Sequence, residues 1–270
     1  MMKFGTLDVI LTDKPTPWEQ LYPLIRNLGF AGLELGVYQD YDQTPLWSTA
    51  GRARLREVAE QSGVVTPSIC LHSYWHFSFA AEDPDIRKRA GHIAREAAAI
   101  AAEMGAKNIL IPLTNPDKVA PEIAQVRWIE GVSACAEAAL AHEVCFCLEN
   151  VNVAFANAPA DIIAIVDAID SPAVGVYYDP GNAVGSGLDP LEGLEMLGER
   201  VKQVHIKERE GQYVGEGIVA WPQILAALQA QGYDGWLVFE TDKTDDPLTA
   251  IKQNLGVIEG YLNDIFRIEN

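Results

Sequence analysis

Short apolar runs alternate with longer stretches of helical periodicity along the whole chain. Eight of these runs have the length and the β-branched or aromatic content of buried strands, and helical stretches separate them. The predicted strands cover residues 4–11, 30–36, 64–71, 107–113, 144–149, 173–179, 201–207 and 235–240. Eight such units in succession predict one α/β domain over residues 1–270, a single (β/α)8 TIM barrel, with a doubly wound sheet as the alternative.

Capping and helix-breaking residues indicate where the intervening helices begin and end. For the helix before the fourth strand, Asp83 is the predicted N-cap, Pro84 the first helical residue and Gly105 the stop. Pro23 lies within the helix predicted before the second strand and indicates a weak or bent helix there. Neither a linker nor an abrupt change in composition divides the chain, which agrees with a single domain.

The composition narrows the range of partners. The chain has 270 residues, 49% of them hydrophobic, and a net charge of −18 without a basic run. Such a charge repels polyphosphate, so we expect no nucleic acid partner. The N-terminal segment resembles neither a signal peptide nor a membrane span, and no later run reaches about 18 apolar residues, so we expect a cytoplasmic protein without a membrane partner. The four cysteines lack CxxC spacing and are interpreted as reduced core thiols.

The most informative chemistry lies at the ends of the last four predicted strands. Glu149, Asp179, His205 and Glu240 close the segments CFCLE, GVYYD, VKQVH and GWLVFE. The active sites of (β/α)8 barrels are built at the C-terminal ends of the strands, so these four side chains are expected to converge there. A single strand-end carboxylate can do no more than cap the next helix, but four consecutive ligand-type residues favour a divalent metal site for Mn²⁺, Co²⁺, Mg²⁺ or Zn²⁺.

Two further features of the predicted rim have a structural as well as a functional interpretation. Lys207 follows His205 by two residues, so it either contacts a substrate hydroxyl or phosphate or forms an ion pair with Glu208 or another rim carboxylate. The aromatic segment at residues 73–79, SYWHFSF, forms either an apolar wall or lid over a ligand or ordinary loop packing.

The motifs LEN, DPGN, VHIKE and FET, together with GEG before a Trp-Pro helix, resemble those of the xylose isomerase-like TIM barrel family. This family includes sugar and sugar-phosphate 3-epimerases, hydroxypyruvate isomerases, inosose dehydratases and, more distantly, endonuclease IV-type repair enzymes. The resemblance covers essentially the whole chain and is strongest over about residues 144–242. It is specific for the family and weak for the substrate.

The resemblance to the ketose 3-epimerase branch implies roles for particular residues. It implies that the four strand-end residues bind one divalent metal, commonly Mn²⁺, and that Glu149 and Glu240 are also the catalytic acid/base pair. It further implies that Glu34 and His72 contact substrate hydroxyls. Asn182, which stands where many ketohexose 3-epimerases have a histidine, is grouped with them as a substrate-binding residue.

These residues support a metal-assisted proton transfer next to a carbonyl group. The expected function is therefore a sugar or sugar-phosphate epimerase or isomerase that passes through an enediolate. An inosose-dehydratase-type lyase and a hydroxypyruvate isomerase are the nearest alternatives. A non-catalytic sugar-binding barrel is less favoured, and five histidines and a net charge of −18 disfavour the nuclease. Because many relatives of this kind form a homodimer or a homotetramer, either assembly is expected.

Overall fold

The computed structural model describes residues 2–11, 16–151, 155–241 and 244–268, with side chains up to residue 265. Eight parallel strands form a closed barrel in which each strand pairs with the next and β1 pairs with β8. The strands are β1 (Lys3–Leu7), β2 (Gly32–Gly36), β3 (Ser68–Cys70), β4 (Asn108–Pro112), β5 (Cys145–Glu149), β6 (Val174–Tyr178), β7 (Val201–Ile206) and β8 (Trp236–Phe239). The predicted (β/α)8 barrel is confirmed, and the closing pair of strands excludes the doubly wound sheet.

Helices surround the barrel. Those in the described part of the chain are α1 (Trp18–Leu28), α2 (Thr49–Ser62), α3 (Pro84–Met104), α4 (Pro121–Ala141), α5 (Pro159–Ile169), α6 (Pro180–Gly185), α7 (Pro190–Leu197), α8 (Trp221–Ala230) and α9 (Pro247–Ile268). Six of them begin at a proline, whose fixed φ suits the first helical position. None of the described helices has the length and apolar character needed to span a bilayer.

The predicted caps of α3 are confirmed. The Asp83 carboxylate accepts a hydrogen bond from the Asp85 N–H at 2.8 Å, and Gly105 ends the helix with a φ of 77°, where a side chain would be strained. Pro23 lies inside α1, which continues past it, so the proline removes one backbone donor without ending the helix. The apolar face of α1, which packs into the core, therefore keeps the helix intact although Pro23 removes one backbone hydrogen bond.

Two apolar layers hold the barrel together. The larger layer packs the helices against the outside of the strands, and a smaller cluster fills the inside of the barrel. Cys145 and Cys147 both face this inner cluster, as their spacing of two along a strand predicts. All four cysteines are free thiols, in agreement with their interpretation as core residues.

The two-residue alternation of side chains along each strand also determines which of them reach the C-terminal mouth of the barrel. In β5 every second side chain faces inward, which places Glu149 last on the inner face above Cys147. Strand register aligns the neighbouring strands, because Glu149 pairs with Tyr177 of β6 and His205 of β7 pairs with Val238 of β8. The C-terminal ends of β5 to β8 therefore present their last inward side chains at one level.

Candidate metal centre

The structure brings the four strand-end residues together. Glu149, Asp179, His205 and Glu240 each offer one ligand atom, and these atoms lie within 4.8 Å of one another. His205 Nδ1 lies 3.1 Å from Glu149 Oε1 and 3.3 Å from Glu240 Oε2. Three carboxylates and one imidazole in this arrangement match the donors that divalent first-row metals and Mg²⁺ accept.

One oxygen of Asp179 tests whether the site suits a cation. Asp179 Oδ1 accepts a hydrogen bond from the Asn182 N–H at 2.9 Å and so caps α6. Asp179 Oδ2 is buried without a hydrogen-bond partner, and its nearest cation is Lys207 Nζ at 3.7 Å. A buried carboxylate oxygen without a donor is unfavourable unless a cation satisfies it, so the residues present fit a metal ion.

The two glutamates of the site have opposite protonation tendencies. Burial raises the pKa of Glu149 to about 7. Burial also opposes ionisation of Glu240, but the positive charges of His205 and Lys207 outweigh it and lower the pKa of Glu240 to about 2. The site therefore combines a glutamate that gains and loses a proton near neutral pH with one that stays a carboxylate.

Lys207 forms ion pairs with carboxylates of the site. Its Nζ donates to Glu240 Oε2 at 2.9 Å and lies 3.7 Å from Asp179 Oδ2. Of the two partners expected for an ion pair, the structure shows another rim carboxylate and not Glu208. The carboxylate of Glu208 instead accepts hydrogen bonds from the N–H groups of Arg209, Gly215 and Val219.

Glu34 lies inside the barrel, where it contacts His205 of the candidate metal centre. Its side chain has no exposed surface. Its Oε1 lies 3.0 Å from His205 Nε2, and its Oε2 accepts hydrogen bonds from Ser68 Oγ and, at 3.0 Å, from Tyr177 Oη. Two hydroxyl donors and one imidazole nitrogen therefore occupy the carboxylate for which the resemblance implied a contact with substrate hydroxyls.

His72 follows β3 on the other side of the barrel mouth. Its ring stacks on Tyr38 with centroids 4.8 Å apart and planes 9° apart. Its Nε2 is buried without a hydrogen-bond partner. Burial lowers the pKa of His72, which favours a neutral ring. A neutral imidazole with an unsatisfied nitrogen suits the predicted contact with a substrate hydroxyl, which stays a prediction.

Comparisons with known proteins agree with the barrel fold. A family model described as xylose isomerase-like TIM barrel matches residues 23–261. The chain belongs to this family. The "Putative L-ribulose-5-phosphate 3-epimerase SgbU" of Escherichia coli (strain K12) is 28% identical over 269 residues, which cover 93% of each chain. The "L-ribulose-5-phosphate 3-epimerase UlaE" of Escherichia coli (strain SMS-3-5 / SECEC) is 24% identical over 246 residues, which cover 87% of this chain and 86% of the relative.

Solved structures of the xylose isomerase-like fold show the same architecture. An L-ribulose 3-epimerase superposes with a TM-score of 0.86 at 18% identity and covers 100% of this chain and 97% of its own. A D-psicose 3-epimerase from Clostridium cellulolyticum H10, solved with D-tagatose, superposes with a TM-score of 0.83 at 19% identity. This alignment covers 97% of the present chain and 99% of the epimerase chain. The relatives by sequence are carbohydrate epimerases, in agreement with the expected enzyme that acts on sugars.

In this xylose isomerase-like barrel, Asn182 is bonded at both ends of its side-chain amide. Its Nδ2 donates to the Asn150 carbonyl at 3.0 Å, and its Oδ1 accepts from Arg209 Nη2 at 2.8 Å. The Asn150 side chain in turn accepts from the Asp179 N–H at 2.8 Å and donates to the Asp179 carbonyl at 2.7 Å. These bonds hold the ends of β5 and β6 together beside the candidate metal ligands.

Asn150 and Arg209 were not among the site residues predicted from the sequence. The signal for Asn150 was its place directly after Glu149 in the motif LEN. Arg209 had no comparable local signal, because its partners Asn182 and Gly181 lie more than 25 residues away in the sequence. Only the folded chain shows that this arginine supports the first turn of α6.

The aromatic segment at residues 73–79 divides into exposed and packed residues. Phe79 is buried against Trp128 and Tyr74, with ring centroids 5.3 and 5.5 Å apart, so it belongs to the core between α3 and α4. Trp75 is 43% exposed. Ordinary packing therefore describes Phe79, and an apolar wall or lid formed by other residues of this segment stays a prediction.

Proposed function

We propose that the protein is a divalent metal-dependent ketose 3-epimerase. The observation that carries this proposal is the convergence of Glu149, Asp179, His205 and Glu240 within 4.8 Å. The E. coli relatives are named for epimerisation at carbon 3 of L-ribulose 5-phosphate, and similar structures are named for L-ribulose and D-psicose. A small ketose, or its phosphate, is therefore the substrate class that agrees with both the site and the relatives.

The metal ion, when bound, supplies a Lewis acid that stabilises negative charge on the substrate as its carbon-bound proton leaves. Glu149 and Glu240 extend from β5 and β8, so their carboxylates reach the mouth from different directions. One glutamate removes the proton next to the carbonyl, and the other returns a proton to the opposite face, which inverts that carbon.

Other residues of the chain prepare this chemistry. Lys207 donates to Glu240 and keeps it ionised, so that it is ready to bind a cation or accept a proton. Asn182 and Asn150 fix the backbone around Asp179, which limits movement of that ligand. We infer Mn²⁺ as the bound ion, because carboxylate oxygens with one imidazole suit it, with Mg²⁺, Co²⁺ and Zn²⁺ as alternatives. A homodimer or homotetramer and a cytoplasmic location stay predictions.

Proton exchange measured by NMR tests the proposal. Metal-stripped protein is reloaded with Mg²⁺ or Mn²⁺ and incubated in D₂O with L-ribulose, its 5-phosphate, D-psicose, D-tagatose, hydroxypyruvate and inosose, and Mn²⁺ samples are quenched before acquisition. We expect metal-dependent deuterium at carbon 3 of one ketose. Loss of a β-hydroxyl would indicate a lyase instead, and stoichiometric metal without exchange in any compound would contradict the epimerase.

Glutamine variants test the acid/base pair. We expect Glu149→Gln and Glu240→Gln each to lower the exchange rate by at least about 100-fold, because each removes one proton-transfer group. Glu137→Gln, at an exposed position of α4, is the matched control and should keep the wild-type rate. Near-normal exchange in both site variants would remove these two residues from the mechanism.

A further inference from the structure

A chain of buried polar side chains runs through the barrel interior from its N-terminal end to the metal centre. We call these residues the interior chain: Asn108, Gln203, Ser68, Tyr177, Glu34 and His205. The interior of a (β/α)8 barrel is usually filled by branched apolar side chains. Glu34, Ser68, Tyr177 and Gln203 all have no exposed surface, so they form a polar path within an otherwise apolar core.

The orientation of Gln203 sets the direction of this path. Asn108 Nδ2 donates to Gln203 Oε1 at 2.7 Å, so the amide nitrogen of Gln203 faces the other way. That nitrogen lies 2.6 Å from Ser68 Oγ and 2.9 Å from Tyr177 Oη. Because an amide nitrogen donates and does not accept, both hydroxyl oxygens receive one of its hydrogens.

The two hydroxyl groups then donate their own protons to Glu34. Ser68 Oγ and Tyr177 Oη both lie within hydrogen-bond distance of Glu34 Oε2, the tyrosine at 3.0 Å. Glu34 Oε1 remains for His205 Nε2, 3.0 Å away. Since Oε2 already accepts from both hydroxyl groups, a hydrogen bond from the ring to Oε1 places a proton on His205 Nε2.

This proton placement determines which nitrogen of His205 faces the metal. With a proton on Nε2, the lone pair of the neutral ring lies on Nδ1. Nδ1 is also the atom that points at Glu149 Oε1, 3.1 Å away, and at Glu240 Oε2, 3.3 Å away. A carboxylate that accepts the second ring N–H of a metal-binding histidine fixes the tautomer and ring orientation and makes the histidine a stronger ligand.

We propose that Glu34 is a positioning residue that holds His205 with its proton on Nε2 and its Nδ1 toward the metal, and that Ser68, Tyr177 and Gln203 fix Glu34 for this role. The inference rests on the metal centre of the proposed function. It differs from a contact between Glu34 and substrate hydroxyls, because it concerns metal binding in the absence of any sugar.

Metal binding without substrate measures this role directly. The Mn²⁺ dissociation constant of the full chain is determined from the EPR signal of free Mn²⁺. We expect Glu34→Gln to raise this dissociation constant about 10- to 100-fold. The NH2 group of the glutamine would face groups that donate to the Glu34 carboxylate, so the hydrogen bonds that hold His205 would be lost. Wild-type affinity in Glu34→Gln would overturn the proposal. A wild-type protein that binds no Mn²⁺ would instead show that the proposed metal centre is wrong.

A matched pair of tyrosines keeps the test independent of the glutamate variant. Tyr177→Phe removes one hydroxyl donor to Glu34 and should weaken Mn²⁺ binding in the same direction as Glu34→Gln, though less. Tyr178→Phe is the control. Tyr178 is the next residue in the chain, and its buried hydroxyl donates to the Pro190 carbonyl at 2.9 Å and touches no member of the interior chain. Equal Mn²⁺ affinities in the two tyrosine variants would contradict the proposal even if Glu34→Gln does not fold.

The tautomer of His205 gives a second readout. In ¹⁵N-labelled protein loaded with diamagnetic Zn²⁺, long-range ¹H–¹⁵N spectra distinguish a protonated Nε2 from a protonated Nδ1. We expect the proton on Nε2 in the wild type, with Glu34→Gln and Tyr177→Phe used to follow its dependence on the interior chain. A His205 ring protonated at Nδ1, with Nε2 on the metal, would overturn the inference.

Discussion

Burial at the end of β1 disfavours the negative charge of Asp8. The residue follows β1 directly, and its carboxylate accepts hydrogen bonds from Trp18 Nε1 and from the Gly36 N–H at 3.0 Å. Burial nevertheless raises the pKa of Asp8 from 3.8 to about 6, and the charge of Glu34 contributes in the same direction. The native protein therefore binds a proton at Asp8 more tightly than the unfolded chain does between about pH 4 and pH 6.

The sign of the effect on stability follows from this difference. Below about pH 3.8 the carboxyl is protonated in both states and has no effect. As the pH rises the unfolded chain ionises first, so the free energy of unfolding falls until Asp8 of the folded protein has also ionised. The pKa of Asp8 rises from 3.8 in the unfolded chain to about 6 in the folded protein. At about 1.36 kcal/mol for each pKa unit, this difference lowers the free energy of unfolding by about 3 kcal/mol in total. Because water partly screens this side chain, we expect about 2 kcal/mol, roughly half of it between pH 5 and pH 7.5.

Urea unfolding of metal-free protein in EDTA measures this contribution. The free energies of unfolding of the wild type and of Asp8→Asn are compared from pH 5 to pH 7.5. The amide nitrogen of asparagine would face one of the two N–H donors, Trp18 Nε1 or the Gly36 N–H, and so adds a constant offset, which leaves the pH dependence of the difference as the diagnostic quantity. We expect the wild type to lose about 1 kcal/mol relative to the variant over this range. Parallel curves would refute the reasoning that burial raises the pKa of Asp8.

Two further predictions concern the metal and the packing of α4. Adding Mn²⁺ to metal-stripped protein at 100 times its dissociation constant should stabilise the fold by about 2.7 kcal/mol and raise the Tm by roughly 5–10 °C in a thermal scan, whereas Asp179→Asn should lose most of this gain. An unchanged wild-type Tm would contradict a metal site. Gly131→Ala places a Cβ 2.2 Å from a ring carbon of Phe79 and should lower the free energy of urea unfolding by about 1–3 kcal/mol. Gly256→Ala in α9, whose Cβ meets nothing within 4 Å, should instead raise it by about 0.5–1 kcal/mol, and equal effects would refute the packing argument.

Apolar periodicity predicted the number and order of the strands but extended some of them too far. Residues 64–71 were predicted as one strand, and β3 occupies only Ser68–Cys70. Pro67 has no N–H to donate to a ladder, and before it Val65 makes a single bridge to Gly32. Likewise the run at residues 4–11 leaves the sheet after Leu7 and turns at Asp8–Ile10. Apolar residues alone do not distinguish a buried strand from a buried turn.

The four proposed metal ligands were predictable because local rules place them. A residue that ends a parallel strand lies at the C-terminal mouth of the barrel, and the two-residue alternation of a strand decides whether it faces inward. Both facts can be read from segments as short as CFCLE. The predicted contacts of Glu34 and Asn182 with substrate came from resemblance alone, and the structure shows other protein groups bonded to both side chains.

The sequence by itself determined the (β/α)8 barrel and the level at which Glu149, Asp179, His205 and Glu240 lie, since these depend on periodicities within single strands. Only the tertiary structure decided what each polar group meets, such as Lys207 with Glu240 and His205 with Glu34, 171 positions apart in the chain. The physical reason is barrel closure, which brings β2, β3, β6 and β7 around one axis. Hydrogen-bond partners across that axis depend on strand register and side-chain rotamers, which no short segment of sequence specifies.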